Sequence, residues 1–180
     1  KFVMPIPDDI SDELAVLIEP FAVAVSAVKK VKITTGTSVA VVGTGNIGIM
    51  TAILANHLGG IVTAIDPNPK KHDLVRQIDN IHVVYPHEAK NKSYDVVFEA
   101  AGTEEAVEKS IQLMKKGGSL VIIGMASEVK IPVIDIVRNN QTIIGSIIYN
   151  FPEDYEETIE YLRNINVNIS KIISKIIPIK

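Results

Sequence analysis

The stretch Ser38–Asp66, SVAVVGTGNIGIMTAILANHLGGIVTAID, decides the fold. It passes from an apolar strand through three spaced glycines and a helical segment to a second strand that ends in an acid. Val39 to Val42 has the β-branched character of a strand buried on both faces of a parallel sheet. Gly43 permits the tight turn out of that strand. Gly45 has no Cβ, so the backbone can approach a pyrophosphate, and Gly48 lets the helix lie close to the strand. The helix N-terminus carries free N–H groups and partial positive charge, which hold phosphate without a basic side chain. Thr44, Asn46 and Ile47 complete the expected phosphate turn. Ile47, Met50, Leu54 and Leu58 recur at helical spacing and predict the sheet-facing stripe, with Gly59-Gly60 as the stop. Asp66 follows Gly48 at close to the roughly 20 residues that separate such a turn from a ribose-binding acid. Its carboxylate is expected to accept from both adenosine ribose hydroxyls and to repel a 2′-phosphate, which favours NAD over NADP. The plainer alternative is that the glycines only close a βα turn and that Asp66 is a solvated loop acid.

Working outward, alternation of strand and helix begins at Ser38. Strands are predicted near 38–43, 61–66, 81–84, 94–98, 118–123 and 142–148, and helices near 46–58, 69–77, 103–115, 133–139 and 152–164. That pattern predicts a six-stranded, doubly wound parallel sheet with helices on both faces, an α/β Rossmann fold. Tyr85 to Ser93 leaves room for about one helical turn where a full crossover would be expected. Before the sheet, Pro5 and Pro7 keep the first residues extended. Ser11 is placed to cap a helix through Asp12, Glu13, Leu14 and Leu17, and Pro20 is expected to divide it from a second helix, Phe21 to Val31. The tail, Ile169 to Ile179, is compatible with a strand or an amphipathic helix.

With 180 residues, the chain is long enough for one domain with a real core. A net charge of −3 and the lack of a dense basic cluster exclude a general attraction to nucleic acid or an anionic membrane. Apolar stretches are strand-sized, so no segment spans a bilayer, and Lys1-Phe2-Val3-Met4-Pro5 has no signal-peptide pattern. A cytoplasmic protein is expected. There is no cysteine, hence no disulfide, cysteine nucleophile or cysteine-held zinc in these residues. His57, His72, His82 and His87 are expected as surface or strand-edge residues rather than ligands.

In a doubly wound sheet, ligands lie beyond the carboxyl ends of the strands. Those ends are Gly43, Asp66, Glu99-Ala100-Ala101-Gly102, Gly124-Met125 and Tyr149. Small residues at 100–102 and 124 are expected to leave space for the adenine ribose and nicotinamide, and Pro67 and Ala101 to sandwich the adenine. Lys71 is placed to reach the ribose beside Asp66, or else is a solvated helix-start lysine. Ala101 and Met125 serve equally well as packing residues. No tyrosine begins a Tyr-x-x-x-Lys pair, which leaves short-chain dehydrogenase chemistry unsupported, and no Ser/His/Asp constellation is visible.

Four blocks then carry a resemblance: Ile18–Val28 (IEPFAVAVSAV), Val41–Gly48 (VVGTGNIG), Phe98–Met125 (FEAAGTEEAVEKSIQLMKKGGSLVIIGM) and Ile143–Leu162 (IIGSIIYNFPEDYEETIEYL). They resemble the medium-chain, zinc-dependent alcohol and polyol dehydrogenases, the sorbitol, butanediol and threonine branch most of all. The resemblance implies an enzyme of about twice this length. In it, residues 1–35 connect from a domain bearing the zinc ligands and proton relay, 36–165 bind NAD, and 166–180 return toward that domain. By the same resemblance Glu19 faces the catalytic zinc, Ser26 stands where the family usually has His, and the substrate is a small alcohol or polyol. The resemblance also implies that the last strand, rich in isoleucine, pairs across a twofold axis, so a homodimer through that strand, or a tetramer, is expected. A non-catalytic NAD(H)-sensing module and a zinc-free quinone or enoyl reductase remain as competing readings.

Overall fold

The computed structural model describes residues 3–165, 169–173, 175 and 177. Six strands, β1 (Ser38–Val42), β2 (Ile61–Ile65), β3 (Ile81–Val84), β4 (Tyr94–Glu99), β5 (Met114–Ile122) and β6 (Thr142–Gly145), form one parallel sheet in the order β3-β2-β1-β4-β5-β6. The chain reverses its direction of strand addition between β1 and β4, which opens a crevice over the carboxyl ends of those two strands.

Alternate residues of the strands feed two cores. Val39 and Val41 of β1, with Val96 and Phe98 of β4, face α2 (Ile18–Val28), α3 (Asn46–His57) and α7 (Glu153–Asn164). Ala40, Val42 and Val97 face the opposite layer, which contains α5 (Glu104–Leu113). The helix α3 is buried on nearly every side, Gly48 through Ala55, rather than along one stripe. It lies between the sheet and α2, so its outer face meets Ala24, Val25 and Val28 instead of water.

Several boundaries differ from expectation, each for a local reason. Pro20 does not divide two helices. The helix α2 starts at Ile18, and the first bond closing it runs from the Phe21 N–H to the Leu17 carbonyl, so the N–H that Pro20 lacks would have had no partner. The helix capped by Ser11 is short, α1 (Asp12–Ala15). The strand β5 begins at Met114, earlier than the predicted 118, because Met114 pairs with Tyr94 across a register shift before Val96. The strand β6 ends at Gly145, leaving Ile147 and Ile148 beyond the ladder. The other two helices, α4 (Pro69–Val75) and α6 (Val133–Arg138), fall close to prediction, and Tyr85–Ser93 holds a single turn closed from the Glu88 N–H to the Tyr85 carbonyl. In the tail, Ile169–Ile172 forms a 3-10 turn, neither the strand nor the amphipathic helix considered. The expectation for residues 174, 176 and 178–180 lies outside the described residues. Among the described residues, no helix is long and apolar enough to cross a membrane.

Candidate functional site: a crevice over the strand ends

The turn after β1 is built as its glycines require. Gly43 has φ +87°, and a Cβ there would collide with Ala101 at the end of β4. A Cβ on Gly48 would fall on the Gly43 carbonyl oxygen, so α3 approaches β1 only because that atom is missing. Gly45 differs: its backbone is ordinary, φ −64°, and a Cβ there would meet nothing within 4 Å. It is the N-cap of α3 and offers no side-chain cap, so the first N–H groups of the helix point at open space. Asn46 is exposed and Ile47 half-buried beside it.

Asp66, at the end of β2, is only 7 % exposed. Its Oδ2 accepts from the Thr44 N–H and the Thr44 hydroxyl, both at 2.8 Å, and its Oδ1 accepts from the Asn68 N–H at 2.8 Å. The solvated loop acid is thereby excluded: the carboxylate ties the glycine turn to the end of β2. His72, expected at the surface, is buried instead. Its Nε2 lies 2.7 Å from the Asp66 carbonyl oxygen, the acceptor of this bond, and its ring stacks on Tyr85 at 4.2 Å. A spacing argument has no signal for this, because a histidine on a short helix becomes buried only through what α4 is pressed against.

The lip of the crevice is exposed at Pro67, Ala101 and Met125. Met125 is 91 % exposed and therefore not a packing residue. Ala101, also at the surface, does pack against Gly43. The Lys71 side chain is half-buried on α4 and makes no hydrogen bond or ion pair among the described residues. Gly124 was expected to leave room for a ligand. A Cβ there would meet the Gly102 N and the Glu99 Oε2, so glycine at 124 is also required by close packing of the two turns. Glu99, in the sequence only the end of a strand, is a further residue of this site. It is fully buried, and its Oε1 accepts from the Ala101 N–H at 2.8 Å and the Gly102 N–H at 2.7 Å, which shapes the turn that flanks the crevice. An acid closing the apolar run Val96-Val97-Phe98 was the available signal.

A separate cavity of about 1110 Å³ lies between the N-terminal segment and the loop after β6. Exposed Glu19, in the first turn of α2, lines it together with Tyr149 and Tyr155. Burial, then the hydrogen bond with Tyr149, then the charges of Tyr149 and Glu19 hold the Tyr155 phenol above its usual range, so it remains a hydrogen-bond donor rather than a base. The loop is anchored by Asp154, which accepts from the Asn150 N–H at 2.6 Å and pairs with Lys29 at 2.9 Å. Among the described residues no three His, Cys, Asp or Glu side chains converge as a metal site, so Glu19 is not part of a ready-made ligand set.

The strand order, the reversal between β1 and β4 and the glycine turn define a doubly wound nucleotide-binding domain of the Rossmann type. The zinc-binding dehydrogenase family model matches residues 46–164, and the chain belongs to that family. It is 28 % identical over 185 residues to a sorbitol dehydrogenase of Bacillus subtilis, with 96 % of this chain and 52 % of that protein covered. It is 32 % identical over 189 residues to a D-xylulose reductase of Saccharomyces cerevisiae, covering 96 % of this chain and 53 % of that protein. Among solved structures, a zinc-binding dehydrogenase of Sinorhizobium meliloti bound to NADP superposes with a TM-score of 0.85 at 28 % identity, covering 93 % of this chain and 53 % of that one. The chain thus spans about half the length of the curated relatives it matches.

Proposed function

We propose that this chain is the NAD-binding half of a zinc-dependent alcohol or polyol dehydrogenase that transfers hydride between a secondary alcohol and NAD. The observation that carries the reading is the open space over Gly45, the N-cap of α3, where no side chain caps the first N–H groups of the helix. Such an open helix N-terminus is the kind of place that binds a pyrophosphate, and any side chain at 45 would stand in its way. Gly43, Thr44, Gly45, Asn46, Ile47 and Gly48 hold the diphosphate, Asp66 faces the adenosine ribose, and Pro67, Lys71 and Ala101 border the adenine. Gly102, Gly124 and Met125 flank the nicotinamide end, with Glu99 fixing the Ala101–Gly102 turn.

The chemistry of the whole enzyme needs more than these residues. Zinc, when bound, lowers the pKa of the alcohol oxygen it holds. Glu19 would turn its carboxylate toward it from the cavity wall, and the remaining ligands and the proton relay would come from a further domain connected through residues 1–35. Residues 36–165 form the coenzyme domain and 166–180 return toward its partner. The sorbitol and xylulose relatives favour a polyol. Glu19 at a cavity shared with Tyr149 and Tyr155 favours an enzyme over a coenzyme sensor, which needs no such acid. The apolar surface of Ile147, Val133, Ile134 and Val137, beside the unpaired edge of β6, supports a homodimer through that edge, alone or within a tetramer.

Titration with NADH and NADPH tests the reading. Binding of NADH in preference to NADPH is expected, because the Asp66 carboxylate repels a 2′-phosphate. A preference for NADPH would overturn the choice of coenzyme, and failure to bind either would overturn the site.

A further inference from the structure

Glu99 is fully buried at the end of β4, and half of its carboxylate is idle. Its Oε1 accepts from the Ala101 N–H at 2.8 Å and the Gly102 N–H at 2.7 Å, a convergence of donors that a negative oxygen accepts best. Its Oε2 makes no hydrogen bond among the described residues, and no Lys, Arg or His among them forms an ion pair with Glu99. That oxygen lies against Gly124, where a Cβ would meet it. The Glu99 carbonyl also accepts from the Ile123 N–H at 2.8 Å and the Gly124 N–H at 3.1 Å, so this one residue holds the turns after β4 and β5 together.

The two turns tied by Glu99 carry Gly102, Gly124 and Met125, which flank the nicotinamide end. We propose that Glu99 sets the preference of this crevice between the two redox forms of the coenzyme: its buried, unpaired charge stabilises the cationic ring of NAD over the neutral ring of NADH. The inference rests on the reading of the crevice as the NAD site, and goes beyond it by giving a function to a side chain with no exposed surface. The two forms differ at the ring by one positive charge, and a fixed group shifts their balance only through that difference. Buried away from solvent, the carboxylate is little screened by salt. Its hydrogen bonds to Ala101 and Gly102 act separately, because they shape the turn for both forms alike. Charge and shape can therefore be parted: glutamine keeps a carbonyl oxygen to accept from both N–H groups and lacks the charge.

The first measurement needs no variant. NAD, NADH and an isostere of NAD with a neutral benzamide ring are titrated into the full chain by calorimetry. NAD is expected to bind about 3- to 10-fold more tightly than the benzamide isostere, the order for one charge pair acting across a partly solvated crevice. An isostere that binds as tightly as NAD, or more tightly, would overturn the proposal whether or not any variant folds. In Glu99→Gln, folded by circular dichroism, NAD should weaken about 3- to 10-fold while NADH and the isostere change by less than about twofold, so the preference for the charged ring disappears. Equal weakening of all three ligands would mean that Glu99 acts through the shape of the turn alone, and an unaltered ratio of NAD to isostere would mean that its charge is not felt; either result overturns the proposal. Glu99→Asp keeps the charge and should keep that ratio within about twofold of the parent even where both affinities fall. A folded parent chain that binds none of the three ligands refutes the NAD reading itself. Binding of all three without distinction refutes only the role of Glu99.

Discussion

Adding one methyl group to Gly45 and, separately, to Gly48 should separate binding from folding within a single turn. At Gly45 the backbone already has φ −64° and a Cβ would meet nothing within 4 Å, so alanine fits without strain. The unfolded chain loses freedom, worth about 0.4–1 kcal/mol in favour of the folded state. Alanine is a poorer N-cap than glycine by a similar amount, so the two effects offset and stability should change by less than about 1 kcal/mol. The new methyl occupies the space assigned to the diphosphate, and NADH affinity should fall at least about tenfold, or 1.4 kcal/mol. At Gly48 the methyl would fall on the Gly43 carbonyl oxygen, with the Gly43 carbonyl carbon at 3.0 Å and the Ala100 Cβ at 3.3 Å. Carbon atoms rest at about 3.5–4.0 Å, so α3 must retreat from β1. Overpacking of this kind costs about 1–3 kcal/mol, which lowers the Tm of a chain this long by roughly 3–10 °C and also displaces the helix N-terminus from the ligand. Thermal unfolding and NADH fluorescence titration on both variants read the two effects. An unchanged NADH affinity in Gly45→Ala would show that the space over Gly45 is not the phosphate site, and a Gly48→Ala chain as stable as the parent would refute the close approach.

Other outcomes follow from the core, the ion pairs and the sheet edge. Phe98→Ala empties a fully buried position in β4 and should cost about 3–5 kcal/mol by urea denaturation; a loss below about 1 kcal/mol would contradict its place in the core. Burial works against ionisation of Asp154, but the Asn150 N–H, Lys29 and Ser26 outweigh it and hold its pKa below the ordinary 3.8. The folded state therefore binds fewer protons than the unfolded state near that pH, and stability should fall as pH drops through and below about 4. Asp154→Asn, although less stable at neutral pH, should show a flatter acid limb in urea midpoints, and an unaltered slope would count against the assignment. Lys29, raised first by its hydrogen bond to Glu157 and then by that to Asp154, contributes stability that is lost as pH rises above 10.5. Lys29→Met should remove that alkaline loss in the same titration. Ile147→Lys changes a residue 83 % exposed beyond β6, so far-UV circular dichroism should be unaltered while sedimentation shifts toward monomer. A dimer that survives it would place the partner elsewhere.

Much of the site was legible because its requirements are local. The turn after β1 needs glycine at 43 and 48 for reasons that involve atoms only a few residues away or on the adjacent strand, and the sequence pattern carries that information directly. The place of Asp66, directly after β2, was legible for the same reason. The neighbours of Asp66 were not legible: Thr44, Asn68 and His72 reach it from three elements, and no periodicity relates them. Gly124 was assigned to ligand space because glycine at a strand end has two physical uses, close packing and open access. The Gly102 backbone and Glu99 beside it show that the first use applies, which the sequence does not reveal.

The order of strands and helices, the parallel sheet and the glycine turn after β1 were determined by sequence alone, since the alternation of buried runs with glycine turns admits few other chain paths. The full burial of α3 was decided by tertiary structure, because α2 covers the face that periodicity left free. The number of acceptors Asp66 keeps for a ligand was decided in the same way. A carboxylate shows its identity in the sequence, but its free lone pairs depend on which donors the folded chain brings within hydrogen-bonding distance.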